Sequence, residues 1–225
     1  YGDFPGGRVD TYVESRINGV WRSRMEGGNS ETREDSLDRP STERGLFNTY
    51  RNSLKWQNDL TLNDQNGVIL RGDWYEDLLN SRTAFAEDSR WNRAAFIQHR
   101  FQAQSFSTEL GLRRDDNQQF GGHNSWSGTF TLPLNPDNDL LLSYSEGFRA
   151  PTFNDLYYPD EFGFKNSNPN LKPESSETGE LGVRAQYQHW FWDAAVYRTN
   201  IDDLIAYDGS KGSSFNVNKA RIEGA

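Results

Sequence analysis

The stretch FSTELGLR, residues 106–113, alternates between two kinds of side chain and decides the fold class. On one face it places Phe106, Thr108, Leu110 and Leu112, and on the other Ser107, Glu109, Gly111 and Arg113. Because successive side chains of a β-strand point to opposite faces, this period of two predicts a strand that is apolar on one side and polar on the other.

The same alternation recurs along the chain, for example in SWSGTFTL (125–132) and ELGVRAQY (180–187), whereas helical spacing of apolar residues is hard to find. The sequence therefore predicts an all-β fold of about eleven antiparallel strands. They are expected near residues 9–17, 20–27, 46–60, 67–78, 92–103, 106–114, 124–133, 138–147, 175–186, 190–200 and 214–224.

The predicted connections alternate between tight turns and long polar loops. A tight type I′ hairpin turn is expected at Asn18-Gly19, and other tight turns at 62–67, 103–105, 135–139 and 188–189. The long connections are 28–44, 79–91, 115–123, 148–174 and 202–214. Short turns at one rim and long loops at the other are typical of an outer-membrane β-barrel.

Strand length and aromatic positions separate a membrane barrel from a soluble β-sandwich. Several predicted strands reach ten residues or more, close to the roughly 9–11 residues that a tilted strand needs to cross a bilayer. Strands of soluble sandwiches are usually about five or six residues long. Aromatic residues also lie near strand ends, where interfacial girdles are expected: Trp21, Trp56, Trp74, Trp91, Tyr144, Trp190 and Trp192. The pattern favours the membrane barrel.

Composition excludes several other classes of protein. The 225 residues contain 34% hydrophobic and 14% aromatic residues, and no apolar run approaches the roughly 20 residues of a transmembrane helix. A net charge of -9 disfavours a nucleic-acid-binding protein, which needs a basic patch. The absence of cysteine removes disulfides, thiolate metal sites and cysteine nucleophiles.

No catalytic constellation stands out in the sequence, so no enzyme activity is expected. His99, His123 and His189 are far apart and lack metal-ligand spacing. The pairs Asp115-Asp116 and Asp202-Asp203 are interpreted as solvated loop residues rather than an acid–base pair, since neighbours at a strand end point to opposite sides.

Three motifs carry a resemblance to a known family. FRAPTFNDLYY (148–158) is followed by NPNLKPESSETGELGVR (168–184) and then by NVNKARIEG (216–224). In this order and spacing they resemble the TonB-dependent outer-membrane receptors, in which F-[RK]-A-P precedes N-P-x-L-x-P-E across one outer loop. The resemblance covers roughly the last 110 residues.

Within that family the sequence is most similar to the cobalamin (vitamin B12) receptors. This narrower resemblance rests on AEDSRWNRAAF (86–96), RRDDNQQFGGHNSW (113–126) and TNIDDLIAY (199–207). Receptors for siderophores or haem share the general barrel motifs and are the alternative within the family. A soluble, acidic, β-rich carbohydrate-binding module, which would use exposed Trp and Tyr for stacking, is the alternative from another class.

The resemblance implies a 22-strand barrel in the outer membrane of a Gram-negative bacterium, with a plug domain inside it. Residues 1–225 would be a partial barrel domain that contains about half the strands and neither the plug nor a TonB box. The implied activity is import of cobalamin when TonB displaces the plug. Other implied partners are the lipid bilayer, lipopolysaccharide, and a phage or bacteriocin.

The resemblance also implies candidate site residues near the N-terminus. YGDFPGGRVDT (1–11) is similar to the end of an outer loop that is ordered by calcium in cobalamin receptors. Asp10 and Asp3 would be calcium ligands, with the oxygen donors that Ca²⁺ prefers. Tyr1, Phe4 and the loop 28–44 would contact the substrate. Inward charges such as Glu109, Arg113, Glu180 and Arg184 are interpreted as pairs facing a wet lumen or the plug.

Overall fold

The computed structural model describes residues 6–37, 44–81, 84–158 and 166–225, and of residues 34–37 and 44–46 it describes the backbone alone. It confirms the all-β prediction. The strands are β1 (Gly6–Arg16), β2 (Trp21–Leu37), β3 (Arg44–Thr61), β4 (Asn66–Ser81), β5 (Ser89–Gln102), β6 (Ser107–Asn117), β7 (Gly121–Asn135), β8 (Asn138–Arg149), β9 (Glu174–Gln186), β10 (Phe191–Asp208) and β11 (Ser213–Gly224). Among the described residues a single short helix, α1 (Phe153–Tyr157), lies between β8 and β9.

All eleven strands form one sheet in sequence order, and every neighbouring pair is antiparallel. Each strand therefore pairs with the one before and the one after it, as in an up-and-down β-barrel wall. The described helix is too short and too polar to cross a membrane.

The two faces of the sheet have opposite chemistry, as the alternation predicts. The cross-strand register aligns Phe130, Leu142, Leu181 and Val196 on one face. This face leaves large apolar side chains exposed, among them Leu110 at 56% and Leu112 at 62%. The buried polar residues of the described chain are Asn48, Asn58, Asn92, Asp115, Asn117, Glu174 and Ser214. A sheet with one continuous exposed apolar face is suited to lipid contact.

The strands continue beyond the predicted boundaries at the end of the sheet that carries the long loops, and β2 and β10 continue furthest. β2 extends into the predicted loop 28–44 as far as Leu37, and β10 extends to Asp208. The predicted long loops 115–123 and 202–214 are wrong, because short turns at 118–120 and 209–212 connect the extended strands there. The sequence GNSETREDSL (28–37) is polar on both faces, so the alternation gave no strand signal there. Backbone pairing with neighbouring long strands nevertheless continues, because a hydrogen-bonded ladder does not require an apolar face.

The turn at Asn18-Gly19 connects β1 to β2 as predicted, but its predicted type is wrong. A type I′ turn requires a positive φ at both central residues, and among the described glycines only Gly121 and Gly212 have one. Instead the Asn18 Oδ1 accepts the backbone N–H of Val20 at 3.0 Å. An asparagine side chain therefore closes the turn in place of left-handed backbone.

Candidate functional site

A cavity of about 780 Å³ opens on the polar face of the sheet, towards the end that carries the long loops. Its wall comes from the outer halves of β2 to β8, and its rim comes from the segment that leads into α1. Because the wall is built from inward positions of paired strands, the cross-strand register decides which side chains meet there. The lining combines arginines and carboxylates with the aromatic residues Tyr50, Tyr75, Phe148 and Phe153.

Arg113 is the centre of a first ionic group on the polar wall. Its Nη1 donates to Asp73 Oδ2 at 2.7 Å, and its Nε and Nη2 donate to the two carboxylate oxygens of Asp115 at 2.8 and 3.0 Å. The buried amide of Asn92 donates to Asp115 Oδ1 at 3.0 Å. Each of these charges has a charged or amide partner, as burial of charge requires.

A second ionic group lies nearer the loop end of the wall. Arg51 donates to both carboxylate oxygens of Asp77, at 2.6 and 2.9 Å, and its guanidinium carbon lies 4.4 Å from the centre of the Tyr75 ring. Arg90 follows in the same cross-strand row, since Asp77 pairs with Arg51 on one side and with Arg90 on the other.

The arginine of the motif FRAPTFNDL forms a clasp between the ends of neighbouring strands. Arg149 makes a bidentate ion pair with Glu174, both distances being 2.6 Å, and Glu174 also accepts the backbone N–H of Ile205 at 2.6 Å. This clasp joins the end of β8, the start of β9 and the outer half of β10. The Arg of the first motif and the Glu of the second thus have one shared role, which is to join the end of β8 to the start of β9.

A second set of contacts fixes α1. Thr152 and Asp155 form a capping box, and Ser214 Oγ donates to Asp155 Oδ1 at 2.7 Å. Asn168 Nδ2 in turn donates to the Ser214 carbonyl oxygen at 3.0 Å. Partial burial raises the pKa of Asp155. The hydrogen bonds from Thr152 and Ser214 together lower this pKa by more than burial raises it, so it lies below its ordinary value.

The predicted N-terminal site residues are only partly described. Tyr1, Asp3 and Phe4 lie outside the described residues. Asp10 lies on β1, where its carboxylate pairs with Arg8. The described residues contain no cluster of three or more acidic or histidine side chains that suits a metal ion. Asp10 therefore does not form a calcium site with the described residues alone, and the calcium assignment of Asp3 and Asp10 stays a prediction.

The paired aspartates are strand residues rather than the predicted loop residues. Asp115 and Asp116 lie on β6, and Asp202 and Asp203 lie on β10. Asp115 is buried against Arg113, whereas Asp116 pairs with Arg93 on the opposite face. The prediction that neighbours point to opposite sides is correct, but the prediction that Asp115 is solvated is wrong.

Of the four inward charges interpreted as pairs, Arg113 is paired, whereas Glu109, Glu180 and Arg184 form no ion pair within the described residues. Arg113 has two carboxylate partners, and Glu109 accepts a hydrogen bond from Gln98 at 2.7 Å. The sequence did not single out Arg51, Asp77 and Arg90. In the sequence each of them is recognisable only as a charged residue at an inward position of an alternating strand. Which of these side chains contact one another depends on the strand register.

Comparison with known proteins agrees with this architecture. Residues 5–225 match the family model described as "TonB dependent receptor-like, beta-barrel". The chain belongs to the family of TonB-dependent receptors. It is therefore part of a β-barrel of the Gram-negative outer membrane, and the exposed apolar face of its sheet is the lipid-facing surface.

Two curated relatives are vitamin B12 transporters. The chain is 36% identical over 186 residues to the vitamin B12 transporter BtuB of Photobacterium profundum, covering 78% of this chain and 30% of that protein. It is 31% identical over 189 residues to BtuB of Vibrio vulnificus, covering 80% of this chain and 30% of that protein. The chain therefore spans less than a third of the length of these relatives.

The fold is also that of solved receptors. The siderophore receptor PirA from Pseudomonas aeruginosa superposes with a TM-score of 0.79, covering 97% of this chain and 45% of that receptor. The sequence identity is 18%, so this likeness establishes the fold and not the ligand. In that structure, as in the sequence relatives, this chain corresponds to only part of the protein.

Proposed function

We propose that this chain is about half of the barrel wall of an outer-membrane receptor that binds cobalamin outside the cell and imports it. In this proposal a plug domain closes the barrel lumen and TonB, powered from the inner membrane, displaces the plug. Binding and gating are then the whole activity, and no covalent chemistry is required. Regions beyond this chain would supply the remaining strands, the plug and the contact with TonB.

The observation that carries the proposal is the 36% identity to a vitamin B12 transporter over most of this chain. The cavity is consistent with it, because its aromatic rings and polar groups suit a large ligand with a flat ring and an amide fringe. Its position at the loop end of the polar face is where an external ligand would enter a barrel.

The alternative substrates are siderophores and haem. A solved structure with the same fold is a siderophore receptor, but at 18% identity it supports the fold alone. Cobalamin is therefore the better-supported substrate. The soluble carbohydrate-binding alternative conflicts with family membership over residues 5–225.

The proposal is tested by complementation of cobalamin uptake. The complete receptor gene that contains this chain is expressed in a Gram-negative strain that lacks its own cobalamin receptor and requires cobalamin for growth. Growth at limiting cobalamin, lost when TonB is also removed, is the expected result. Absence of growth with the receptor folded in the outer membrane, together with rescue of growth on a ferric siderophore or haem, would contradict cobalamin as the substrate.

Calcium is a separate proposal that concerns the N-terminal residues. If Asp3 and Asp10 help to hold calcium in the complete receptor, Asp10 must exchange Arg8 for the metal. A calcium chelator should then weaken cobalamin binding by the intact receptor, and D10N should reduce that calcium dependence. Equal affinity with and without the chelator would contradict a role for calcium and leave the transport proposal unaffected.

A further inference from the structure

One arginine of the cavity wall has no acidic partner among the described residues. The other arginines that line the cavity, Arg51, Arg113 and Arg149, each hold a carboxylate oxygen at 2.6–2.7 Å. Within the described parts of the chain, no carboxylate lies within ion-pair distance of Arg90, although its guanidinium lines the same cavity. Burying a guanidinium without a counter-ion destabilises the folded protein unless a ligand supplies the negative charge.

The acid next to Arg90 in the cross-strand row forms its hydrogen bonds with a different arginine. Asp77 is the register partner of both Arg51 and Arg90. Both of its carboxylate oxygens accept from Arg51, at 2.6 and 2.9 Å. Asp77 therefore attracts Arg90 through space but forms no hydrogen bond with it, and the guanidinium of Arg90 lines the cavity without a direct ion pair.

The guanidinium of Arg90 is also held in place by neutral groups. Its Nη1 donates to the carbonyl oxygen of Pro151 at 2.9 Å, and the group lies 5.1 Å from the ring centre of Phe153 and 5.7 Å from that of Phe120. In the part of the chain that the structure describes, Nε and Nη2 donate to no protein acceptor. A positioned planar cation with free donors is the usual means of binding phosphate.

We propose that Arg90 binds the phosphodiester group of the substrate and so distinguishes complete cobalamin from corrinoids that lack the nucleotide loop. This inference rests on the proposed function. The amide side chains of cobalamin are neutral, so the phosphodiester is the anionic group at its periphery. It is the part of the ligand that an unpaired arginine in the cavity would attract.

The test compares two ligands on variants of the complete receptor in outer membranes. Equilibrium binding of cyanocobalamin, and of dicyanocobinamide, which lacks the phosphodiester and the nucleotide, is measured for the unaltered receptor, R90Q and R90K. R198Q is the control, since Arg198 lies on the opposite, lipid-facing side in an exposed pair with Glu223. Heat-modifiable gel mobility shows that each variant has a folded barrel.

The expected result is a loss of about tenfold or more in cyanocobalamin affinity for R90Q, with less than about twofold change for dicyanocobinamide. R90K should retain part of the affinity because it retains the charge, and R198Q should bind both ligands normally. Equal losses for both ligands would assign Arg90 a purely structural role at Pro151 and overturn the inference, as would no loss for either. If the unaltered receptor binds neither ligand, the proposed function itself fails and the inference fails with it.

Discussion

Arg113 and Asp73 form an ion pair of 2.7 Å although a whole strand, β5, lies between them. The register explains how the pair forms: Ala94 is the β5 residue between Asp73 on β4 and Asp115 on β6. The small alanine side chain leaves the space through which Arg113 reaches across. This contact connects β4 to β6 across β5, so it stabilises the wall in addition to the pairing of neighbouring strands.

The first prediction follows from this pair. R113Q should leave the carboxylates of Asp73 and Asp115 without their cation at side-chain exposures of 14% and 13%. Removing one partner of a largely buried ion pair costs about 3–5 kcal/mol, and partial exposure reduces this to about 2–3 kcal/mol. Denaturant unfolding of the receptor in lipid vesicles measures the loss.

The matched control is R22Q, because Arg22 on the same face pairs with a single carboxylate, Asp59, at side-chain exposures of 49% for Arg22 and 16% for Asp59. A pair whose cation is half exposed contributes about 0–1 kcal/mol, so R22Q should cost less stability than R113Q. Similar losses for the two variants would show that the Arg113 network has no special structural weight.

The second prediction tests which face meets lipid. Leu181 aligns with Leu142 and Val196 on the exposed apolar face, whereas Ser143 lies on the polar face opposite Glu180. L181R should destabilise the folded barrel by about 2–4 kcal/mol if its position is near the bilayer midplane. S143R introduces the same side chain in the neighbouring strand but towards the lumen, and it should cost less than about 1 kcal/mol. Equal costs would mean that the two faces are assigned wrongly.

The third prediction concerns the clasp between Arg149 and Glu174. E174Q removes the charge that Arg149 pairs with and weakens the acceptor of the Ile205 N–H. A charge-assisted hydrogen bond contributes about 1.5–3 kcal/mol, so the described residues 150–158 and 166–173 should open more readily and be cleaved faster by an added protease.

The control for the clasp is E223Q, which breaks the exposed Arg198–Glu223 pair at the far edge of the sheet. It should leave the protease sensitivity of the outer loop unchanged. Unchanged cleavage for E174Q as well would show that the F-[RK]-A-P and N-P-x-L-x-P-E motifs have another role.

The fourth prediction is a pH dependence that comes from Asp155. Because its pKa is lower in the folded protein than in the unfolded chain, ionised Asp155 stabilises the α1 segment at neutral pH. This contribution is present above the unfolded pKa of about 3.9 and is lost as the pH falls through the lower, folded pKa. Amide hydrogen exchange of residues 152–157, followed between about pH 6 and pH 3, should show loss of protection at the acidic end.

D155N provides the comparison, because an amide oxygen still accepts the cap hydrogen bond but does not ionise. Its protection should be lower at neutral pH and should vary less with pH, after correction for the intrinsic exchange rate. The same pH profile in both proteins would assign the acid sensitivity to another group.

The sequence predicted the parts of the fold that depend on alternation. All eleven strands were found because lipid on one side and a polar lumen on the other impose a strict period of two. The outer ends of β2 and β10 were missed because both faces of these segments are polar, and the type of the Asn18 turn was missed because a side chain closes it.

The candidate site was less predictable, since it depends on register. Arg113 was correctly expected to face inward, but nothing in the sequence shows that Ala94 lets it reach Asp73 two strands away. Nor does the sequence distinguish Arg90 from Arg51. The difference is that Asp77 gives both of its oxygens to Arg51, which is a matter of side-chain geometry.

The most direct test of cobalamin as the substrate is equilibrium binding of labelled cyanocobalamin to outer membranes that contain the complete receptor, with ferric siderophores and haem as competitors. We expect saturable binding that unlabelled cyanocobalamin displaces and that the iron compounds leave unchanged. Binding of a ferric siderophore or haem, with no saturable binding of cyanocobalamin by the folded receptor, would contradict it.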